Sequence, residues 1–220
     1  MTFLEMQTEV GDLLNYAVAS GSTITTTQVK RDLNTAKDIV FNRLVSLGQD
    51  YNARLTKANL VANQSLYGLP SDCRKILRVE VGYETSSDRF KARRMDGNEE
   101  NDPVYTTYVE TSPRYVVRGS NIELKPTPSS NVTDGLQLLY VEDLADMTDN
   151  TDTSGLPFEY DYLLTLYSAG KGKYKLGLAE EGNNYMAQFR LGLDDMEQQV
   201  IERNMDDSPS IIIRDEYGGL

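Results

Sequence analysis

Leu136-Gln137-Leu138-Leu139-Tyr140-Val141 and, past a polar gap, Tyr160-Asp161-Tyr162-Leu163-Leu164-Thr165-Leu166-Tyr167 together decide the fold. In the first, Leu136, Leu138 and Tyr140 recur with a period of two and share one face of a strand. In the second, Tyr160, Leu163, Leu164 and Tyr167 recur at three-and-four spacing, a helical stripe that Tyr174 and Leu178 continue. The gap from Asp146 to Gly155 is polar, and Pro157 stands where a first-turn proline belongs. The chain passes from strand to helix across it.

Working back from Leu136, short β-branched or aromatic runs recur: Ile76, Val79 and Val81; Tyr105 and Tyr108; Tyr115-Val116-Val117; Ile122 and Leu124. Turn signals separate them at Gly68-Leu69-Pro70, Asp96-Gly97-Asn98, Asn101-Asp102-Pro103, Arg118-Gly119-Ser120-Asn121, Pro126 to Asn131 and Asp134-Gly135. This spacing predicts a mostly antiparallel β domain over 52–147. Before it, helical spacing returns. Phe3, Met6, Val10, Leu13, Leu14 and Ala17 form one stripe, broken by Gly21. Val29, Leu33, Ala36, Val40, Leu44 and Leu47 form another, opened by the capping box Thr25-Thr26-Thr27-Gln28 and closed by Gly48. The pair reads as an antiparallel hairpin over 1–51.

On the far side, Gly182 is expected to separate the Tyr160 stripe from a last one made of Tyr185, Phe189, Leu193, Met196 and Val200. Helices over 148–205 then pack on the N-terminal hairpin, and 206–220 is an extended tail, polar apart from Ile211-Ile212-Ile213. The fold class is α+β: a discontinuous helical bundle with an inserted antiparallel β domain.

Composition narrows the chemistry. The 220 residues carry 34 acidic and 22 basic side chains, net −12, which disfavours tight binding of nucleic-acid phosphates. Such a balance ordinarily serves solubility, and it would also keep a DNA passage from adhering. Fourteen tyrosines against five phenylalanines and no tryptophan suit partly hydrated interfaces. The single Cys73 excludes an internal disulfide and a multi-cysteine zinc site. Glu5, Gln7, Glu9 and Asp12 interrupt any leader-like start, and no apolar run is long enough to span a membrane. Assembly in a reducing cytoplasm is expected.

With no histidine, Ser-His-Asp and Cys-His arrangements are excluded. Gly170-Lys171-Gly172-Lys173 lacks the leading spacing and trailing hydroxyl of a phosphate loop, and reads better as a helix thinned for close packing. The acidic pairs Glu142-Asp143, Glu180-Glu181, Asp194-Asp195 and Asp206-Asp207 read as solvated surface, although a carboxylate-dependent glycosidase would need only one well-spaced pair. Asp146, Asp149 and Asp152 recur at three, not two, without the closing glutamate of an EF-hand, so neither a metal nor another cofactor is expected. Arg89, Lys91, Arg93 and Arg94, and separately Lys171, Lys173 and Lys175, are basic clusters able to meet an acidic surface. Cys73 follows a Leu-Pro-Ser-Asp turn as a small packing residue.

Three local series then align in order. Tyr67-Gly68-Leu69-Pro70-Ser71-Asp72 leads into Arg74-Lys75-Ile76-Leu77-Arg78-Val79. Pro113 to Val117 faces Ile122-Glu123-Leu124-Lys125-Pro126-Thr127-Pro128. Leu139-Tyr140-Val141 is followed by Thr148-Asp149, Leu156-Pro157 and Tyr167-Ser168-Ala169. Together they resemble the head–tail adaptor (connector) proteins of tailed bacteriophages, from Thr2 to about Asp206. The resemblance implies a structural virion protein, not an enzyme, in a ring of usually twelve copies between the portal protein and the tail or nozzle protein below. DNA would pass through without specific binding. It also implies a C-terminal tail docked on a neighbour or the portal; the apolar run Ile211, Ile212 and Ile213 with Arg214 supplies the candidate docking residues, and the basic Lys171, Lys173 and Lys175 a candidate portal- or neighbour-facing set. Another neck or tail protein, or a receptor- or glycan-binding module, is the alternative.

Overall fold

A computed structural model describes residues 1–48, 51–84, 88–95 and 108–206. It is α+β, with two compact units: Met1–Gln49 together with the segment from Leu144 onward, and Asp50–Asp143.

In the helical unit α1 is Phe3–Leu14, α2 Thr26–Ser46, α3 Asp161–Lys175 and α4 Ala179–Asp206. The first helix is shorter than its apolar stripe predicts. Asn15 takes a left-handed backbone (φ 49) and its N–H caps Asp12 and Gly11, so Ala17 falls outside. The full capping box belongs to α1, where Thr2 and Glu5 satisfy each other's backbone N–H groups. At α2 only the Thr25 half forms, because the Gln28 side chain faces Lys175 instead. The expected α1–α2 hairpin is not the main packing: each helix has its larger contact with α3, which also carries α4.

Pro157 precedes a 3-10 turn, Phe158–Tyr160, that feeds α3. The break between α3 and α4 is at Gly177 (φ +79), not Gly182. There Leu178 N–H bonds the Lys173 carbonyl and Gly177 N–H that of Tyr174, a Schellman closure. Gly182 lies within α4, where a Cβ would come 2.7 Å from the Tyr174 ring.

The β unit is one seven-stranded sheet of order β1-β7-β3-β4-β5-β6-β2, formed by Ala53–Leu60, Leu66–Gly68, Cys73–Val81, Phe90–Arg94, Arg114–Arg118, Asn121–Lys125 and Val132–Glu142 in chain order. All pairs are antiparallel except β4–β5, which run parallel with Arg93 opposite Arg114. The sheet is thus mostly antiparallel, as its spacing predicts. Edge strands β1 and β2 are joined between Leu60 and Leu66. Six residues reach at most ~22 Å, while six flat strand spacings need ~28 Å. The sheet must therefore curl.

Its inner face holds Leu60, Val79, Val81, Ile122, Leu124, Leu136 and Leu138. Asp134-Gly135 is no turn. It lies inside β7, where Asp134 has φ 55 and a Cβ on Gly135 would strike Leu60 at 2.8 Å. Tyr108 lies outside the strands, while Tyr105, Asp96-Gly97-Asn98 and Asn101-Asp102-Pro103 fall outside the described residues.

Candidate functional site

Glycines thin α3 as expected. A Cβ on Gly170 would sit 3.0 Å from Met186 of α4, and one on Gly172 2.7 Å from Leu14 of α1. Close approach on two sides sorts the lysines between them. Residues two apart on a helix point to nearly opposite sides and residues four apart to the same one. Lys171 and Lys175 are exposed on one side: Lys171 Nζ stands 5.5 Å from the Tyr167 ring centre, and Lys175 donates to Gln28. Lys173 is buried and pairs with Glu181 at 2.6 Å. The three do not form one surface set. Ile211, Ile212, Ile213 and Arg214 lie outside the described residues.

The first basic cluster falls on and beside β4. Ala92 is buried and Lys91 and Arg93 point outward. A groove of about 290 Å³ there is lined by Leu77, Arg78, Lys91, Arg93, Arg94 and Tyr115. Charge divides unevenly between the units. Asp50–Asp143 holds 12 basic and 14 acidic residues, net −2, and the remainder 10 and 20, net −10.

Asp146 and Asp152 have partners within the chain. Asp146 pairs with Lys37 at 2.9 Å, and Asp152 accepts the Thr148 and Asp149 N–H groups at 2.8 Å each, which holds its carboxyl below the usual range. Among the described residues no group of three or more His, Cys, Asp or Glu converges on a metal position. A groove of about 700 Å³ along α1 and the following loop contains one carboxylate, Asp12, beside Leu4, Gln7 and Tyr16. The paired carboxylates of a glycosidase do not meet there. Cys73 packs partly buried against the β core, and burial pushes its thiol up.

Tyrosine serves the interior more than the composition suggested. Tyr67, Tyr83, Tyr115 and Tyr140 are buried in the β core. Tyr67 Oη donates to Gln64 O (3.0 Å), Tyr83 Oη to Pro126 O (2.8 Å) and Tyr140 Oη to Asp72 (3.2 Å). Desolvation raises the pKa of all four phenols. These bonds explain the Tyr67-to-Asp72 signature. It is a stapled corner, with Leu69 N–H also bound to Ser120 O (2.8 Å) and Asp143 N–H to Asp72 O (2.8 Å).

Two features escaped the sequence reading. On α2, Lys30, Asn34 and Lys37 form a polar ladder along one side. Lys37, fully buried, donates to Leu144 O (3.1 Å), Ala145 O (2.8 Å) and Asp146 Oδ1. Asn34 holds both Met147 O (3.0 Å) and Met147 N–H (2.9 Å), and Lys30 reaches Thr148 O (3.3 Å). The signal was available, since Lys37 lies four residues after Leu33 and four before Phe41, on the apolar stripe. The second feature is exposed apolar surface at Phe158 (81%), Leu191 (63%) and Tyr162 (45%). Tyr162 stands one turn after Phe158, and its hydroxyl lies beside Gly192, next to Leu191.

The described residues thus keep hydrogen-bonded polar groups inside as struts and leave apolar and charged surface outside. No helix among the described residues is long and apolar enough to cross a membrane. The chain belongs to the SU10 adaptor protein family, whose model matches residues 1–212. This agrees with the phage-adaptor resemblance of the three ordered series. No curated protein matches the chain.

Proposed function

We propose that this protein is a structural virion component, not an enzyme, that forms a ring of about twelve copies between portal and tail and keeps a DNA channel open. The observation that carries the reading is the family match over residues 1–212. It runs past the end of α4 at Asp206 and takes in Ile211 and Ile212, so the segment after the helix belongs to the shared sequence. A closed ring needs two different contact surfaces on each copy. The helical unit offers Lys171 and Lys175 on one, and Phe158, Tyr162 and Leu191 on another.

Ile211, Ile212, Ile213 and Arg214 dock on the portal or a neighbour. Lys173, buried against Glu181, supports α3 from within. The net −10 of the helical part, repeated around the ring, repels DNA phosphates and lets them pass. The basic groove beside β4 favours one rival, a receptor or acidic-glycan reader within the same virion class.

Electron microscopy of the full chain mixed with its phage's portal protein tests the proposal. Rings seated on portals are expected, and the pair Lys171→Glu with Lys175→Glu should weaken docking at least tenfold without changing the circular dichroism spectrum. Binding to acidic glycan with no portal complex would favour the rival.

A further inference from the structure

We propose that the outer edge of β1 receives a strand from a second copy of this chain, supplied by the Ile211-Ile212-Ile213 run that follows α4. The inference rests on the ring reading above, because it needs neighbouring copies.

Strand β1 has one partner among the described residues, β7, and stands at the end of the strand order. Among the described residues, its backbone makes no hydrogen bond outside that ladder. An open edge is a row of N–H and C=O groups ready for another strand. Here it is long, eight residues, and free of proline. Six of its eight side chains are exposed, so both faces beside the edge are open, and Leu55 is 50% exposed. The opposite edge, β2, has only three residues.

Two occupants compete. A second β1 fits poorly: antiparallel pairing over the regular stretch Ala53–Ala58 would set Arg54 opposite Lys57 at both ends, and like charges facing each other destabilise a pair. The segment 207–220 fits better. Three consecutive isoleucines have high strand propensity, and its charge is net −2, Arg214 against Asp207, Asp215 and Glu216, opposite in sign to β1, which carries Arg54 and Lys57 and no acid. Strand addition takes affinity from backbone bonds and selectivity from side chains beside the edge. It is also a head-to-tail contact, the kind that closes rings.

The test uses full-length chains carrying Cys73→Ser. One has Leu55→Cys and a second, distinguishable by mass, Ile212→Cys; they are mixed, assembled and oxidised. The expected product is a disulfide between the two chains in the assembled fraction. Amide exchange over 53–60 should slow at least tenfold on assembly, and Ile212→Pro should restore the faster rate. Assembly with β1 exchange unchanged, or protection that survives Ile212→Pro, overturns the inference and leaves the ring intact. A chain carrying both cysteines that closes only on itself also overturns it. Failure to assemble in any mixture removes both this inference and the ring.

Discussion

Replacing Lys37 with alanine removes three buried methylenes and the donor held by Leu144 O, Ala145 O and Asp146. The methylenes contribute ~0.8 kcal/mol each, or ~2.4 kcal/mol together. Two carbonyls deprived of a charged donor add ~1 kcal/mol each. Asp146 is two-thirds exposed and rehydrates at little cost. Relief of the ammonium's own desolvation works in the opposite direction, which brings the net loss to ~3 kcal/mol. Lys37→Met keeps the stem and should lose only ~1 kcal/mol by the same accounting. Urea unfolding followed by circular dichroism measures both, and amide exchange at Met147, whose N–H rests on Asn34, reports on the ladder itself. Lys37→Ala within ~0.5 kcal/mol of the parent, or unchanged exchange at Met147, would refute the claim that the ladder holds residues 144–148.

Other consequences follow from single groups. Gly172→Ala places a Cβ 2.7 Å from Leu14; overpacking of ~2 kcal/mol outweighs a helix gain of ~1 kcal/mol, so calorimetry should show a lower Tm, and a rise would mean Leu14 moves aside freely. Tyr67, Tyr83, Tyr115 and Tyr140 keep their protons beyond the ordinary value of 10.0. The unfolded chain therefore binds fewer protons above that value, and stability of the β unit, complete below it, falls as pH rises. Absorbance at ~295 nm should show delayed phenol ionisation that coincides with sheet loss; all tyrosines ionising together with the sheet intact would contradict this. The Asp152 carboxyl, depressed by two backbone N–H groups, stabilises above its unfolded value and loses that effect as pH falls through its folded one. The stability gap between the parent and Asp152→Ala should accordingly close in acid, and a gap independent of pH would rule the cap out.

Helices were legible where an apolar stripe coincided with a buried side. In α4, Phe189, Met196 and Val200 are buried as their spacing requires. The boundary before it was misplaced because Gly177 and Gly182 look alike in sequence, while only the positive φ at Gly177 ends a helix. Strand β1 was missed for a physical reason. An edge strand open on both faces needs no sustained alternation, and in Ala-Arg-Leu-Thr-Lys-Ala-Asn-Leu the alternation changes phase at Lys57. The parallel β4–β5 pair was invisible because pairing direction depends on which strands meet, and local periodicity does not encode it. Lysines 171, 173 and 175 looked like one set because a basic run shows charge and not side. Helical geometry divides them, and the Glu181 pair draws Lys173 inward. Tyr67 to Asp72 was recognised as a series, but its cause, a corner stapled by phenol and backbone bonds, needed coordinates.

The mass of the assembled species, measured by native mass spectrometry with and without the portal protein of the same phage, tests the central claim most directly. The account predicts a discrete complex carrying about twelve copies of this chain on each portal, with truncation after Asp207 reducing its yield. A chain that remains monomeric beside the portal at every salt concentration would contradict it.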